Sequence, residues 1–284
     1  MSDLQIVPAD TLDSEELARL LNQAYTDYYM TIWLEPDKFQ RMCCEVDVDL
    51  AGSVVALIGA TPVGMALLSL RGREGWISGV GVRPQWRRRG IARRLIQTIQ
   101  EGARRDGLDR LRLEVLAQNK PGIQLYEHLG FVHARELLVL SVEAGAVPRT
   151  RIPPAIRSAQ PDQLLDNYQA LHNAEPPWQR ALPLLRSRAS RLQGLALWSP
   201  DEKLVGYVLY QPQHGVYAIV DLAVDPTHPR RIEAGSELLA ALHGTNTDVG
   251  GYIVNVPAAA PILASFTDVG YCVWHRQHEM TWPT

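Results

Sequence analysis

Ile91, Leu95, Ile99 and Ala103 recur every fourth position through an otherwise polar stretch. That is a helical period, and it predicts one buried face over Ile91–Arg105. Leu111, Leu113 and Val115 alternate with Arg110, Arg112 and Glu114. Period two predicts a strand over Arg110–Leu116 with one face against a core. Before the helix, Val80, Gly81 and Val82 lead into Pro84, so a strand stops there and the chain turns. The same reasoning gives a strand at Gln5–Val7, helices at Ser14–Tyr25 and about Pro36–Glu45, three strands, a helix at Pro121–Leu129 and a strand at Phe131–Val142. Asp13 and Glu16 stand at capping-box spacing. Asp106-Gly107 closes the long helix, Pro121 suits a first turn, and Gly130 suits a left-handed exit.

The order repeats. Gly64 and Gly206 are 142 residues apart, as are Val82 and Val224, while Gly130-Phe131 and Gly270-Tyr271 are 140 apart. A nearly constant offset over three landmarks points to two tandem copies of one fold. The proline-rich stretch Ala144–Pro154 lacks periodicity and reads as the linker. The expected domains are 1–146 and 147–284. The fold class is α/β (α+β), each copy a mixed, mostly antiparallel sheet flanked by helices.

The turn after the Val80–Val82 strand is where chemistry concentrates. Arg87, Arg88, Arg89, Arg93 and Arg94 surround Gly90, Ile91 and Ala92 at the start of the helix. A helix N-terminus offers free backbone N–H groups to an anion. Gly90 and Ala92 leave room for a ligand on the backbone. The arrangement suits a pyrophosphate. The spacing Arg87-x-x-Gly90-x-Ala92 directly after a strand, with Asn119, Tyr126 and Gly130-Phe131 downstream, resembles the GCN5-related N-acetyltransferases over roughly residues 4 to 142. The resemblance implies acetyl-CoA as cosubstrate, with no metal. It implies that the backbone of Val80, Gly81 and Val82 pairs with the pantetheine arm, with the Val82 N–H or a neighbour as oxyanion donor. It further implies that Arg87, Arg88, Arg89, Gly90, Ile91, Ala92 and Arg93 hold the diphosphate. Tyr126 would protonate the leaving thiolate. A phenol of pKa about 10 is well matched to that task. Tyr126 also suits a buried helix anchor. Asn119 suits either a bond to the cofactor arm or a helix cap.

A general base is harder to place. Relatives carry a carboxylate on the strand before the turn, where this chain has Ser78 and Gly79. Glu114 on the next strand is the nearest candidate, and it suits a paired strand carboxylate equally well. Tyr25, Asp27, Tyr28 and Tyr29 would face an amine acceptor on an apolar body, or simply pack a helix pair.

The second copy departs from the signature. Aligning Leu95-Ile96 on Leu238-Leu239 sets Glu233 on Gly90 and Gly235 on Ala92. A carboxylate there would face a pyrophosphate of like sign, a repulsion of roughly 4 kcal/mol at about 4 Å. Phe266 replaces the tyrosine. This copy is therefore expected not to use acetyl-CoA productively, and to act as scaffold or as a wall of the acceptor pocket.

Charge and composition narrow the rest. A net charge of -3 over 284 residues argues against a nucleic-acid partner. No apolar run is long enough to span a membrane, and no leader is evident. Cys43, Cys44 and Cys272 have no metal spacing and read as reduced thiols in a cytoplasm. The expected partner is a small-molecule or peptide amine, with the protein a monomer or homodimer. Two function classes remain open: an N-acetyltransferase, and an acetyl-CoA-binding sensor without turnover.

Overall fold

The structure is a computed structural model that describes residues 4–29, 32–148, 152–244, 246 and 248–284. Residues 149–151 of the expected linker lie outside the described residues. In chain order the elements are β1 (Leu4–Pro8), α1 (Ser14–Ala24), α2 (Pro36–Glu45), β2 (Val48–Ile58), β3 (Thr61–Arg71), β4 (Glu74–Val82), α3 (Ile91–Arg105), β5 (Arg110–Leu116), α4 (Lys120–His128) and β6 (Val132–Val142). There follow β7 (Ile156–Ala159), α5 (Pro161–Leu165), α6 (Tyr168–Leu171), α7 (Leu182–Arg188), β8 (Gln193–Trp198), β9 (Leu204–Gln213), β10 (Val216–Val224), α8 (Arg231–Gly244), β11 (Gly250–Pro257), α9 (Leu263–Asp268) and β12 (Cys272–Pro283). Strands β4 and β10 match residue for residue at the offset of 142 read from the sequence.

The chain forms two compact units, residues 1–134 with 278–284, and residues 135–277. Each takes its closing strand from the other half of the sequence, so the units differ from the contiguous division 1–146 and 147–284. In the first unit β1 to β4 pair antiparallel in sequence order and β4 pairs parallel with β5. The end of β12 lies beside β5. Thr284 N–H donates to the Asp109 carbonyl at 3.2 Å. In the second unit β7 to β10 repeat the antiparallel order, β10 pairs parallel with β11, and β6 closes the sheet against β11.

Two apolar layers sandwich the first unit's sheet. Val54, Ala66 and Leu68 meet Leu95, Ile96 and Ile99 of α3 on one face. Val55, Met65 and Leu67 meet Leu17, Leu20 and Phe39 of α1 and α2 on the other. Strands covered on both faces read as continuous apolar runs, as Val63–Leu68 largely does. The helix ends follow local chemistry. Asp13 and Glu16 form the capping box. Asn119 Oδ1 caps α4 by accepting from Gly122 N–H at 3.1 Å. Gly107 and Gly130 have φ of 69° and 84°, which side chains disfavour.

Trp282 shows what the last residues contribute. It is buried against Phe131, and the Arg104 guanidinium lies 4.6 Å over its ring. Trp282→Ala is expected to cost the first unit about 3–5 kcal/mol. Urea unfolding followed by circular dichroism checks this, and an unchanged midpoint would show that the ring contributes nothing.

Candidate functional site

The site begins where two strands part. Strands β4 and β5 pair only from Glu74–Arg110 to Ile77–Leu113. At Ser78 the register of β4 against β3 slips by one residue. That bulge turns β4 away from β5, so Gly79–Val82 bond only to β3. Arg83 N–H donates to the Val63 carbonyl at 2.9 Å. By the alternation of an antiparallel ladder, the backbone groups of Val80 and Val82 then face the opening.

Part of that edge is taken. The Tyr25 hydroxyl accepts from Val80 N–H at 3.2 Å and donates to the Val80 carbonyl at 3.0 Å. Burial, with the neighbouring Tyr28, raises the Tyr25 phenol well above its ordinary pKa, so it stays a donor. The Val82 carbonyl accepts from Arg87 Nε at 3.0 Å. Arg87 also donates to both carboxylate oxygens of Asp27, at 2.8 and 2.6 Å, and to the Ala24 carbonyl at 3.0 Å. Arg87 therefore ties the turn to the end of α1, and Asp27 is spent on Arg87, whose hydrogen bonds hold its carboxyl below the usual range. The Val82 N–H is left toward the opening. Gly81 serves packing, because a Cβ there would sit 2.7 Å from Ala24 Cβ.

The turn itself carries strain. Arg88 has φ 62° and Gly90 φ 78°. Two left-handed residues one apart curl the backbone so that its N–H groups converge. Gly90 is the N-cap of α3 and no side chain caps the helix. Ile91, Ala92 and Arg93 open the helix, so their N–H groups have no carbonyl one turn earlier to bond. A Cβ on Gly90 would meet nothing within 4 Å, so conformation requires the glycine and the space above it is open. Arg88, Arg89 and Arg93 are exposed around it, with Arg89 over the Trp86 ring at 4.8 Å.

Aromatic groups line the other side. Tyr126 is buried against Phe131, and burial with neighbouring Tyr25 and Tyr28 raises its phenol far above the ordinary value. It holds its proton more tightly than the match to a thiol would require. Asn119 hydrogen-bonds the Tyr28 hydroxyl as well as capping α4. Tyr29 is half exposed. Its hydroxyl lies 3.4 Å from the Gln118 carbonyl. Ser78 Oγ is buried without a hydrogen-bond partner. Glu114 Oε2 accepts from the Trp76 indole at 2.6 Å. Arg110 and Arg112 both pair with Glu74.

The acetyltransferase (GNAT) family profile matches residues 15–131 and 159–244, well over half of the chain. The chain belongs to that family. It is 37% identical over 84 residues to thialysine N-epsilon-acetyltransferase of Caenorhabditis elegans, a match spanning 28% of this chain and 52% of that protein. It is 36% identical over 59 residues to the uncharacterized N-acetyltransferase YdgE of Bacillus subtilis (strain 168), spanning 21% of this chain and 38% of that one. These matches cover about half or less of the relatives' own length. A GCN5-related N-acetyltransferase from Sphaerobacter thermophilus superposes with a TM-score of 0.72 at 17% identity, covering 99% of this chain and 95% of that one. A tandem GNAT protein from the clavulanic acid biosynthesis pathway superposes with a TM-score of 0.71 at 16% identity, covering 99% and 98%. Both show the fold, and the second shows it in tandem.

The second GNAT unit keeps the opening and loses the turn. Strands β10 and β11 pair from Val216–Gly250 to Ile219–Ile253, and β10 bulges at Val220, which corresponds to Ser78. No residue between Val224 and Arg231 has positive φ. Helix α8 starts at Arg231, so Glu233 lies within its first turn instead of at the cap position of Gly90. A Cβ on Gly235 would sit 2.4 Å from Ser265 Oγ, so this glycine serves packing against α9. Phe266 is fully buried.

Sequence reasoning missed one group here. Asp221, fully buried, stands one residue past the bulge, at the counterpart of Gly79. Counting back from Val224, as from Val82, would have found it. Asp221 accepts from Arg180 Nη2 at 2.7 Å and from the Tyr207 hydroxyl at 2.8 Å, and its carboxylate lies 3.2 Å from His172 Nε2. His172 Nδ1 faces the Tyr168 carbonyl at 2.9 Å. Both ring nitrogens thus face acceptors, an arrangement that favours the doubly protonated imidazole. Burial works against that charge, but Asp221 outweighs it and the pKa of His172 is raised. Among the described residues no group of three His, Cys, Asp or Glu could hold a metal ion.

Two outcomes follow. Tyr25→Phe leaves the Val80 N–H and C=O without their shared partner, and is expected to destabilise the first unit by about 1–3 kcal/mol in urea unfolding; no loss would show that water replaces the phenol freely. His172 has a raised folded pKa, so its stabilisation is fully present below the unfolded value of about 6.5 and disappears as pH rises through the folded value. The stability gap between wild type and His172→Gln should therefore narrow from pH 6 toward alkaline pH; a gap independent of pH would mean that the imidazole is neutral.

Proposed function

We propose that the first unit transfers an acetyl group from acetyl-CoA to a small-molecule or peptide amine by direct attack. The observation that carries the reading is the parting of β4 from β5 above a helix whose uncapped N-terminus lies in an open, arginine-ringed turn. The diphosphate would bind the N–H groups of Gly90, Ile91 and Ala92 with Arg88, Arg89 and Arg93 around it. The pantetheine arm would run along Gly81 and Val82, and meet Val80 where the Tyr25 hydroxyl now bonds. The Val82 N–H would stabilise the oxyanion as the tetrahedral centre forms. A neutral amine attacks the thioester carbon, the C–S bond breaks, and the electron pair leaves on sulfur.

Tyr126 would donate a hydrogen bond to that sulfur. Its raised pKa means that the proton balance is completed by the ammonium formed at the acceptor, not by a lasting tyrosinate. Glu114 is given no proton here, because its carboxylate is held by Trp76. The aromatic group of Tyr25, Tyr28 and Tyr29 would receive the apolar body of the acceptor. Asp27 would act through Arg87 by fixing the turn. The second unit lacks the glycine-arginine turn and would not use acetyl-CoA. Reduced cysteines would suit a cytoplasmic location. No helix of the described residues is long and apolar enough to cross a membrane.

The strand positions Ser78 and Gly79, which carry no carboxylate, favour a second reading in which the unit senses acetyl-CoA without turnover. Release of free thiol from acetyl-CoA with a panel of amines separates the two. For the enzyme, wild type releases thiol, Gly90→Glu loses acetyl-CoA binding by at least about tenfold, and Tyr126→Phe lowers kcat by about 10–100-fold with little change in acetyl-CoA affinity. Tight acetyl-CoA binding by Gly90→Glu would sink the placement of the diphosphate. Binding without thiol release from any amine would establish the sensor.

A further inference from the structure

The second unit holds a partly open cavity of about 330 Å³ that acyl transfer in the first unit does not use. Its walls are largely apolar, with Leu171, Pro177, Leu222 and Ile262 among them. Such a volume suits a small organic molecule. Arg180, His172 and Arg231 also line it. Arg180 is buried, and while its Nη2 is bonded to Asp221, its Nε is buried with no hydrogen-bond partner. The Nε of Arg231, at the start of α8, is likewise buried without a partner.

The charge count has the same sign. Asp221 is the one carboxylate of this cluster; Arg180 and His172 both spend a bond on it, and Arg231 adds a further guanidinium at the wall. That leaves positive charge in excess around the cavity, which is costly where water is excluded unless an anion matches it. Arg135 and Glu175 stand at the exposed rim, where the Arg135 Nη1 donates to the Glu175 carbonyl at 2.7 Å. Water screens both of those charges. Excess positive charge calls for an anion, and apolar walls call for an apolar body. A diphosphate has no apolar body, and the α8 turn lacks the left-handed glycine that would cradle it.

We propose that this cavity binds a small monocarboxylate with an apolar body, its carboxylate set against Arg180 and Arg231 and its tail among Leu171, Leu222 and Ile262. The site is independent of the first unit's chemistry. Its occupation would stabilise the second unit, because a ligand held only by the folded state shifts unfolding by mass action.

The test titrates full-length protein with butyrate, hexanoate and phenylacetate by calorimetry, with hexylamine, inorganic phosphate and acetyl-CoA as comparisons. At least one carboxylate should bind saturably in the millimolar range or below, at least about tenfold more tightly than hexylamine or phosphate. Ala259→Trp fills the cavity from an exposed wall position and should weaken that binding by at least about tenfold. Arg180→Lys should do so too, but it can unsettle Asp221, so Ala259→Trp decides the matter. Gly90→Glu, which breaks only the first unit's turn, should leave carboxylate binding intact. The proposal is overturned if no carboxylate binds, if hexylamine or phosphate binds as well, if acetyl-CoA competes for the same cavity, or if Ala259→Trp binds as wild type does.

Discussion

A parallel pair of strands that stops bonding halfway leaves a row of backbone donors and acceptors facing open space, and a folded chain must satisfy them. The bulge at Ser78 creates that situation in the first unit, and the bulge at Val220 creates it in the second. In the first unit, side chains answer this constraint. The Tyr25 hydroxyl bonds both groups of Val80, and Arg87 bonds the Val82 carbonyl. Both are arrangements that a ligand's amide groups could share or replace at modest net cost, since one such bond is worth about 1 kcal/mol. An edge satisfied cheaply is an edge open to exchange.

The second unit instead places a charged cluster beside its bulge. Asp221, one residue past its bulge, pulls Arg180, Tyr207 and His172 around it. A buried ion cluster is not itself a strong source of stability, because desolvation offsets much of the attraction. It does fix geometry tightly. The two units thus share a fold and differ at the opening: phenols and exposed arginines in one, a buried ionic cluster and a largely apolar cavity in the other.

Several local features were legible because their causes are local. The capping box at Asp13, the left-handed Gly130 and the alternation of Leu111, Leu113 and Val115 each depend on neighbours within a few residues. The offset of 142 read from Gly64 and Val82 also relates β4 to β10, since a duplicated strand keeps its length. The Arg87–Arg94 turn was visible as a charge cluster beside a glycine. The role of Arg87 within it was not, because its partners Asp27 and Ala24 lie some sixty residues earlier on a helix that only folding brings near. The same holds for Glu114, whose neighbours by sequence are arginines while its hydrogen bond comes from Trp76 on β4. Glu233 fell elsewhere than expected because α8 begins about a turn earlier than alignment on its apolar face implies.

From the order of residues alone came the two copies, the element types of the first copy, the glycine-arginine turn and its absence from the second copy. All of these are written in periodicity, spacing and single-residue conformation. Folding alone decided which strand closes each sheet, how buried Tyr126 is, and that Asp221, His172 and Arg180 converge beside a largely apolar cavity. Those outcomes depend on long-range register and on the removal of water around groups distant in the chain, and neither quantity has a value until the chain has packed.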